Sequence, residues 1–567
     1  MQPESLEFFS SHDPLYRTYG KQQGLRRQKE LFEADPSIES DWYAYQARFK
    51  ALSHWVKSSE DPFDVSLGRG KQALLLREAW ERNRASRRSL SDADHPYRHQ
   101  GDGKTYTYKL FTETGYHLLA EGGRLGFILP SGIWTDKGSA ELRALFLTRS
   151  RWEWCYGFEN KQKIFPIHSM FKFAPIVVER GGQTGAVQTA FMRHDVAEWE
   201  RPDPSSIDLH VKDVQRFSPT TLSFLELKDH RDLAVTDAIY ADHPLLGEVV
   251  SGLGATYNQE LNLTSASKHF VSLSKLADAG LIDLGRDDER DPRVRARLRV
   301  AGYLPLYEGK SVWIHDPYFL GGRSKASTGR FVRTAVLESE LEHNHWMAPR
   351  LCFRDIASST NQRSTAMALM PPAPHGNSLP TLDGLGRHAP PLLATMTSLV
   401  LDFIIRMKVS SHLNWFYVET LPIASGWDAA AFVDDVTPLV YRLNCLGEEF
   451  GGRQAAIVEG RQRMATRLLL DSLVAGLYEL DVKDFEHIAS RFPIYDRHAE
   501  AFAYPGLAVE VYQAFSAGGS DAAVIKANEL TRARADAGYD FGLDEVYVPD
   551  GGWERANAEA RKILEAG

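Results

Sequence analysis

The sequence predicts an α/β protein, with a doubly wound sheet in its first part, a mixed α+β middle region and a helical end. Three observations support this prediction. Helical patterns alternate with short apolar runs between residues 106 and 181, as in sheets that are covered by helices. Short β-like pieces and long polar loops fill residues 245 to 425, and the chain after 426 is largely helical in pattern.

The α/β region begins with the helix YKLFTETGYHLLAEGG, which we expect to place Phe111, Leu118 and Leu119 on its apolar side. The run RLGFILPSGIW follows at once, and its glycine and proline boundaries predict a buried parallel strand. A helix is predicted for SAELRALFLTR, and strands are predicted for WEWCYGFEN and FKFAPIVVERGG. Because ligands of doubly wound sheets bind at the carboxyl ends of the strands, we expect a site there.

Changes of pattern along the chain predict three domains, at 1–235, 245–425 and 426–567. The first hundred residues are expected to form charged helices and loops. The turn-rich run ERPDPSSID lies in a looser stretch before the first boundary. The regular pattern of AAIVEGRQRMATRLLLDSLVAGLYEL predicts a long helix in the third domain.

The composition limits the possible partners and locations. The 567 residues contain 66 Lys and Arg against 75 Asp and Glu, a formal net charge of −9, which excludes a uniformly basic coat but not a local basic surface. The three cysteines, Cys155, Cys352 and Cys445, show no metal-ligand spacing, so we expect no metal. A polar N-terminus and the lack of an apolar run of about 18 residues predict a cytoplasmic protein with no membrane partner.

Several short motifs occur in order between Tyr106 and Gly181. A helix of the form Phe-x-Glu-x-x-x-x-Leu-Leu-x-x-Gly-Gly precedes the strand Gly126–Pro130, and Phe165-Pro166 stands before the next strand. This ordered run resembles the gamma group of adenine-specific DNA methyltransferases. The likeness continues in LPLYEGKSVW, LCFRDIASSTNQRS and RMKVSSHLNWFYVETLPI, and it extends to the large methylases of type IIG restriction–modification systems and of BREX and DISARM phage defence.

The resemblance implies an incomplete Rossmann-like methyltransferase sheet, a mixed α+β target-recognition domain and a helical C-terminal extension. It implies S-adenosylmethionine as the methyl donor and adenine N6 in double-stranded DNA as the acceptor. Such an enzyme must rotate the base out of the duplex and stack it on an aromatic ring. By resemblance, Phe165 and Pro166 hold the flipped base, whereas Phe111 and Pro130 border the donor. The alternative for both phenylalanines is a structural role in the core.

Two parts of the family's pattern are missing. The catalytic tetrad, Asn/Asp-Pro-Pro followed by an aromatic residue, does not occur, and the nearest run is Asp13-Pro14-Leu15-Tyr16. The glycine-rich loop that holds the methionine part of the donor is missing as well. In the family the tetrad supplies the acceptors for the N6 hydrogens. We therefore expect a C-terminal portion of a methylase, which is inactive without an N-terminal methyltransferase fragment or subunit.

The middle region is expected to bind DNA. The stretch from Arg286 to Arg333 contains eleven Lys or Arg against six Asp or Glu, a local net charge of +5 that would attract phosphates. The run FRDIASSTNQR offers side chains that can pair with base edges, although Arg354 could instead form an ion pair with Asp355. The predicted DNA-binding residues are Lys310, Arg323, Lys325, Arg330, Arg354, Asn361, Gln362 and Arg363.

Two other functions remain open. A non-catalytic DNA-specificity subunit would position a separate catalytic subunit. A nuclease-bearing fusion is suggested by Pro202-Asp203 and Glu226-Leu227-Lys228, which fit a loose pattern of paired carboxylates and a lysine. The long gap between these residues makes chance the simpler explanation. The sequence has no GxSxG motif and no P-loop, which removes the common hydrolase and NTPase classes.

Overall fold

The computed structural model of the protein describes residues 5–57, 75, 78, 97–101, 106–197, 206–319, 329–341, 343–357, 361–409, 412–451, 457–492, 504–541 and 546–567. The chain forms two compact units, Met1–Lys228 (unit 1) and Asp229–Gly567 (unit 2). Their boundary lies close to the predicted domain end at 235. The predicted second and third domains lie together in unit 2.

Unit 1 begins with helices and continues with the predicted alternation. Its described helices are α1 (Ser5–Ser10), α2 (Lys21–Ala34), α3 (Pro36–Lys57), α4 (Thr107–Leu118), α5 (Ala140–Thr148) and α6 (Val211–Phe217). Its described strands are β1 (Arg124–Pro130), β2 (Ser150–Glu159), β3 (Lys172–Arg180), β4 (Ala186–Arg193) and β5 (Ile207–His210). Each helix and strand predicted between residues 106 and 181 is present, and the α/β class is confirmed.

The five described strands of unit 1 form one mixed sheet in the order β1-β3-β2-β4-β5. Strand β3 lies between β1 and β2 and is antiparallel to both, so β1 and β2 run parallel to each other. Helix α5 connects these two strands along the chain. Strand β4 is parallel to β2, and β5 is antiparallel to β4. The sheet therefore places the carboxyl ends of β1 and β2 on the same side.

Strand β1 is not the buried parallel strand that its composition predicted. It lies at one end of the sheet, and its described neighbour β3 is antiparallel. Its side chains alternate, because Leu125 and Leu129 are buried whereas Ile128 is 58% exposed. The prediction failed because a short apolar run has the same composition in an edge strand with one covered face as in a strand covered on both faces.

Helix α4 turns polar side chains inward, which is the reverse of the predicted orientation. Phe111 is 69% exposed and Leu118 is 81% exposed, while Glu113 is fully buried. The Glu113 carboxylate accepts backbone hydrogen bonds from the N–H groups of Arg98 at 2.6 Å and His99 at 2.9 Å. Because these bonds satisfy the buried charge, burial of the carboxylate is compatible with this orientation of the helix.

Unit 2 combines short strands with many helices, as the sequence predicted. Its described helices are α7 (His230–Ile239), α8 (Leu246–Gly252), α9 (Leu273–Asp278), α10 (Pro292–Val300), α11 (Thr334–Glu340), α12 (Ala389–Met396), α13 (Leu399–Lys408), α14 (Trp415–Val418), α15 (Ala430–Asn444), α16 (Gly460–Leu477), α17 (Val482–Ser490), α18 (Tyr504–Asp536) and α19 (Gly552–Ala566). Its described strands are β6 (Thr256–Asn258), β7 (Val271–Ser272), β8 (Tyr303–Pro305), β9 (Arg330–Arg333), β10 (Arg350–Phe353), β11 (Met367–Met370) and β12 (Thr381–Asp383).

The strands of unit 2 form two small antiparallel sheets, in the orders β11-β10-β12-β6 and β7-β9-β8. Helices α12 and α13 are buried along their whole length. The helices of the predicted C-terminal extension pack against this region, since α19 lies against α10, and α16 contacts both α12 and α13. This packing explains why the predicted recognition and extension domains form one compact unit.

Among the described helices, none taken alone has the length and apolar composition needed to cross a bilayer. Two consecutive helical segments, Gly386–Met396 and Leu399–Lys408, reach that length and composition when they are counted together, and they are bent by 72° relative to each other.

Burial lowers the pKa of two histidines in unit 2, His315 and His375, and both make its stability depend on pH. His315 is buried, and burial lowers its pKa well below the ordinary value. The positive charges of Arg467, Arg463 and Arg363 lower the pKa further. The folded unit therefore holds this imidazole neutral at pH values at which an unfolded chain would protonate it.

We expect unit 2 to lose stability as the pH falls from 7 to 5. Below about pH 6.5 the unfolded state binds one more proton at His315 than the folded state. This difference lowers the free energy of unfolding by up to about 1.4 kcal/mol per pH unit. Urea denaturation at several pH values measures the slope. His315→Asn, which tolerates the positive φ of 54° at this position, should reduce the slope, whereas His343→Asn at an exposed histidine should not. Equal slopes in both variants would contradict the prediction.

Candidate functional site

The carboxyl end of β1 brings two predicted site residues to the same aromatic ring. Pro130 is the last residue of β1, and Phe173 lies opposite it on β3. The ring of Phe165 packs edge-on against Phe173, with centroids 4.9 Å apart and planes at 78°. Phe158 stacks on Phe173 at 5.7 Å. The antiparallel pairing of β1 and β3 thus brings the end of β1 close to the loop that carries Phe165.

That loop, which connects β2 to β3, is held by one buried amide. Asn160 is fully buried, and its Nδ2 donates hydrogen bonds to the carbonyl oxygens of Phe165 at 2.9 Å and Ile167 at 3.1 Å. Its Oδ1 accepts from the backbone N–H of Phe165 at 3.0 Å. Because both polar atoms of the amide bind the main chain around residue 165, they fix the position of the Phe165 ring.

Phe165 is half-buried and Pro166 is exposed. Phe165 is therefore not the sealed core aromatic that the structural alternative described. Its contact with Phe173 is an edge contact, and an aromatic ring held in this way can take a planar ligand on an open face. The role of Phe165 and Pro166 in stacking a flipped base stays a prediction.

A buried carboxylate lies at the start of the same loop. Glu159 ends β2 and contacts Lys161 at 2.8 Å and the Nε2 of His194 at 3.0 Å. Burial raises the pKa of Glu159, but the hydrogen bonds from Lys161 and His194 and the positive charges of Lys161 and Lys172 leave the pKa below its ordinary value. Glu159 therefore remains charged at neutral pH and anchors the loop from its first residues.

Glu226, part of the loose nuclease pattern, is also committed to contacts inside unit 1. Its carboxylate forms an ion pair with Lys172 and accepts from the indole Nε1 of Trp134 at 3.3 Å. A carboxylate that is neutralised by a lysine and bound by an indole is poorly suited to hold a catalytic metal ion. Asp203, the other carboxylate of that pattern, lies outside the described residues.

Polar side chains from α4 and from the segment between β1 and α5 meet just beyond the end of β1. The Oη of Tyr108, on α4, is 3.4 Å from the Oγ of Ser139, and burial raises the pKa of Tyr108 to about 12. A Cβ built on Gly132 would lie 2.6 Å from this Oη and 2.7 Å from an oxygen of Asp136. A larger residue at 132 would therefore force the side chains of Tyr108 and Asp136 to shift.

Phe111 lies on the side of α4 that packs on β1. A Cβ on Gly115 would meet Leu125 at 2.9 Å and Phe127 at 3.2 Å. Residues four apart share one face of a helix, so Phe111 lies on the same side of α4 as Gly115, one turn nearer the start of the helix. An aromatic residue that is 69% exposed at this position is not the core residue of the structural alternative, and its contact with a methyl donor stays a prediction.

Some of the predicted DNA-binding residues of unit 2 are accessible. Lys310 and Arg330 are each partly exposed, and they pair with Glu308 at 3.3 and 3.1 Å. Asn361 is exposed and Gln362 is half-buried. Two further predicted residues, Arg323 and Lys325, lie outside the described residues.

Arg363 and Arg354 are placed differently from the predictions. Arg363 is 2% exposed and pairs with Asp471 at 3.0 Å, so it lies in the core and is not positioned to contact a base. Arg354 is half-buried and does not form an ion pair with Asp355. Its Nε donates to the carbonyl oxygen of Val312 at 2.7 Å, and burial lowers its pKa to about 10.

The positive stretch 286–333 is not an uncompensated basic surface. Arg295 forms a buried ion pair with Glu449, with the donor and acceptor atoms 2.5 Å apart. Arg293 pairs with Glu559 at 3.2 Å. Both carboxylates come from beyond the stretch, so the local charge count overestimated its positive potential. Tertiary packing neutralises part of a charge excess that a sequence window counts in isolation.

One carboxylate and histidine group in unit 2 has the spacing of a metal site. Asp229, Asp232 and His487 lie close enough together to coordinate one ion. However, Arg491 donates to both carboxylates, at 2.9 Å for Asp232. A guanidinium already occupies the position and charge that a cation would take, so this group is better explained as an ion-pair network between α7 and α17.

The first motifs that carry the resemblance, between Tyr106 and Gly181, lie in unit 1 around the end of β1. Residues 82–165 match the sequence model of the Eco57I restriction-modification methylase family. This methylase segment includes α4, β1, α5 and β2 and ends at Phe165. It is therefore similar to a restriction-modification methylase, and the match covers a minor part of the chain. No curated protein matches the sequence.

Two solved structures show some likeness to the chain. One is the type IIL restriction-modification enzyme MmeI in complex with DNA, at 8% identity and a TM-score of 0.38, covering 69% of this chain. The other is the type IIG restriction endonuclease BpuSI, at 13% identity and a TM-score of 0.27, covering 71% of this chain. In both cases the match spans about half, 52%, of the other protein. At these TM-scores neither likeness supports a conclusion about activity.

Replacing Asn160 by alanine should loosen the loop between β2 and β3. The variant leaves the main-chain groups at Phe165 and Ile167 without their buried partner, which costs about 1–3 kcal/mol for an unsatisfied group. We expect faster trypsin cleavage after Lys161 and Lys163, which are exposed in this loop, together with a lower free energy of unfolding of unit 1.

Gln162→Ala is the matched control, because Gln162 is exposed in the same loop. Its cleavage rate should equal that of the unaltered chain. If Asn160→Ala is cleaved no faster than this control, Asn160 does not hold the loop.

Proposed function

We propose that this chain is the C-terminal part of a site-specific DNA methyltransferase of a restriction–modification or phage-defence system. In this proposal, S-adenosylmethionine donates a methyl group to N6 of adenine in double-stranded DNA. The cofactor binds as part of the complete enzyme, and the protein acts in the cytoplasm. The observation that carries the proposal is the match of residues 82–165 to a restriction-modification methylase family.

The geometry at the end of β1 supports this proposal. The methylase segment ends at Phe165, a half-buried residue whose backbone binds the Asn160 amide and whose ring packs on Phe173, the residue opposite Pro130. An extruded adenine needs an aromatic face to replace the stacking that it loses in the duplex. Phe111 offers a second exposed ring beside the same strand, which suits the adenine ring of the donor. Phe165 would then stack on the acceptor adenine, and Phe111 would stack on the adenine ring of the donor.

The missing tetrad leads us to propose a partner. In the family, the tetrad supplies the acceptors that orient the N6 amino group, and no such run occurs in this sequence. Among the described strands of unit 1, β1 lies at the end of the sheet, and its Ile128 is 58% exposed. An edge strand with an exposed apolar side chain can pair with a strand of another polypeptide. We propose that an N-terminal methyltransferase fragment or subunit completes the sheet here.

A non-catalytic DNA-specificity subunit is the second candidate, and the same missing tetrad favours it. The two candidates differ in donor binding. A specificity subunit leaves donor binding to a separate catalytic subunit, whereas an enzyme half contributes residues to the donor pocket. Variants of Phe111 therefore distinguish them.

The chain together with its N-terminal partner should methylate DNA, and the chain alone should not. Transfer of labelled methyl groups from S-adenosylmethionine to DNA, with and without the polypeptide encoded immediately upstream, measures this. In the active complex, Phe165→Ala should lower kcat by about 5- to 150-fold, because base–aromatic stacking contributes about 1–3 kcal/mol. Phe165→Tyr keeps the ring and should retain most of the activity.

Phe171→Ala is the matched control, because Phe171 is an exposed aromatic residue of the same loop. If the Phe165→Ala complex is as active as this control, Phe165 does not stack the flipped base. Methylation by the chain alone would refute the proposed need for a partner.

Phe111→Ala should weaken the binding of S-adenosylmethionine to the complex, with little effect on DNA binding. The exposed ring would stack on the adenine of the donor, and the expected loss is again about 5- to 150-fold in Kd by analogy with base stacking. Equilibrium dialysis with labelled donor measures it, and Leu118→Ala on the same helix is the control. Unchanged donor affinity in Phe111→Ala would favour the specificity subunit.

A further inference from the structure

We propose that the tip of the β2–β3 loop enters double-stranded DNA and fills the gap that an extruded base leaves. The tip consists of the side chains of Ile167 and Met170 with the ammonium group of Lys163 beside them, and we call it the Lys163 wedge. This inference rests on the proposed function and deepens it, because it gives the loop that carries Phe165 a second task. All residues of the loop, 160–171, are described by the structure.

The loop exposes apolar side chains that the core of unit 1 does not bury. Ile167 is 45% exposed and Met170 is 48% exposed, so both forgo part of the hydrophobic stabilisation that burial would give. Their position is set by the main chain. The Nδ2 of Asn160 donates to the carbonyl oxygens of Ile167 at 3.1 Å and His168 at 3.4 Å. The buried amide that fixes Phe165 thus also fixes the exposed tip.

Further hydrogen bonds close the loop on itself. The backbone N–H of Asn160 donates to the carbonyl oxygen of Phe171 at 2.9 Å, and the N–H of Phe171 donates to the carbonyl oxygen of His168 at 3.1 Å. The backbone N–H of Met170 donates to the Nδ1 of His168 at 3.2 Å. A tip that is ordered before binding loses less entropy when it inserts.

Lys163 places a positive charge at the tip. Its Nζ donates to the carbonyl oxygen of Ile167 at 3.3 Å, so the ammonium group lies next to the apolar side chains. Two other lysines near the loop, Lys161 and Lys172, are paired with Glu159 and Glu226. Lys163 is exposed and forms no ion pair with a described carboxylate. Its charge is therefore available to a phosphate group.

The backbone at Lys163 gives no reason for a lysine. The residue has a φ of 56° and a ψ of 40°, in the left-handed region. Glycine adopts this conformation without steric cost, and asparagine adopts it more often than lysine does. The presence of a lysine is thus better explained by what its side chain contacts. Strained backbone of this kind is common at functional sites.

Size, charge and position favour DNA as the occupant. Two half-exposed apolar side chains beside an ammonium group are much smaller than the roughly 800 Å² that each partner buries in a stable protein interface. One or two such side chains suffice to open a base step, and isoleucine and methionine are among the residues that proteins insert into DNA. The backbone N–H of Ile167 donates to the carbonyl oxygen of Phe165 at 2.8 Å. A base stacked on Phe165 would therefore leave its gap close to the tip.

Extrusion of the base can be measured with 2-aminopurine, whose fluorescence rises when it leaves the base stack. The chain and the polypeptide encoded immediately upstream are assembled on a duplex in which 2-aminopurine replaces the adenine that the complex methylates. Ile167→Ser and Met170→Ser should each lower the equilibrium constant for extrusion about tenfold, the loss of an apolar contact of about 1.4 kcal/mol. Phe171→Ala is the matched control, because Phe171 is exposed where the loop closes onto β3, and it should leave extrusion unchanged.

Lys163→Gly separates the charge from the backbone. The variant removes the ammonium group and relaxes the left-handed conformation, so the free energy of unfolding should not fall. The slope of log affinity for DNA against log salt should become shallower by about 0.9, because one phosphate contact is lost. Lys163→Gln should show the same change of slope, whereas Lys212→Gln, at an exposed lysine of α6, should show none. An unchanged slope in both Lys163 variants would overturn the role of this lysine.

The outcomes separate this inference from the proposed function. If Ile167→Ser and Met170→Ser extrude the base as well as the unaltered complex, the wedge is refuted, while methylation by the complex still supports the proposed function. If these variants instead weaken assembly with the upstream polypeptide and leave extrusion unchanged, the tip contacts protein and the inference fails. If the complex methylates no DNA, the proposed function fails and the inference fails with it.

Discussion

The pairing of β3 with both β1 and β2 is the constraint on which the candidate site depends. Because β3 is antiparallel to each neighbour, the loop that enters it returns to the carboxyl end of β1. Phe173, near the start of β3, then lies opposite Pro130 and against Phe165. Backbone hydrogen bonds thus place the ring of Phe165, and the Asn160 amide holds the loop that carries it.

In unit 2, buried charged side chains bind the main chain of a loop. Arg363 and Asp471 form an ion pair in its core, and Arg406 with Asp402 binds the main chain of the β10–β11 loop. Buried ion pairs add little net stability, because desolvation offsets their attraction, but breaking one leaves a costly unpaired charge. Their effect here is to select one loop position.

In helix α4 the apolar pattern of the sequence and the observed burial of a carboxylate disagree. Its apolar residues predicted an inward face, yet Glu113 is buried and Phe111 is exposed. The carboxylate gains hydrogen bonds from the main chain that water would otherwise supply. The exposed phenylalanine is then available to a ligand or to another polypeptide. Violations of the apolar pattern of this kind are expected at functional sites.

The sequence by itself determined the local elements of the protein. Glycine and proline boundaries, helical periodicity and apolar runs located α4, β1, α5, β2 and β3, because these signals act over a few neighbouring residues. The order of motifs around Phe111 and Phe165 also indicated the methylase family that the segment 82–165 matches.

Tertiary structure alone decided strand direction, burial and charge balance. Three features depend on partners far away in the chain. They are the position of β1 at the edge of the described sheet, the burial of Arg363, and the ion pair of Arg295 with Glu449. A local pattern cannot specify such partners, because long-range contacts are set by the packing of the whole unit.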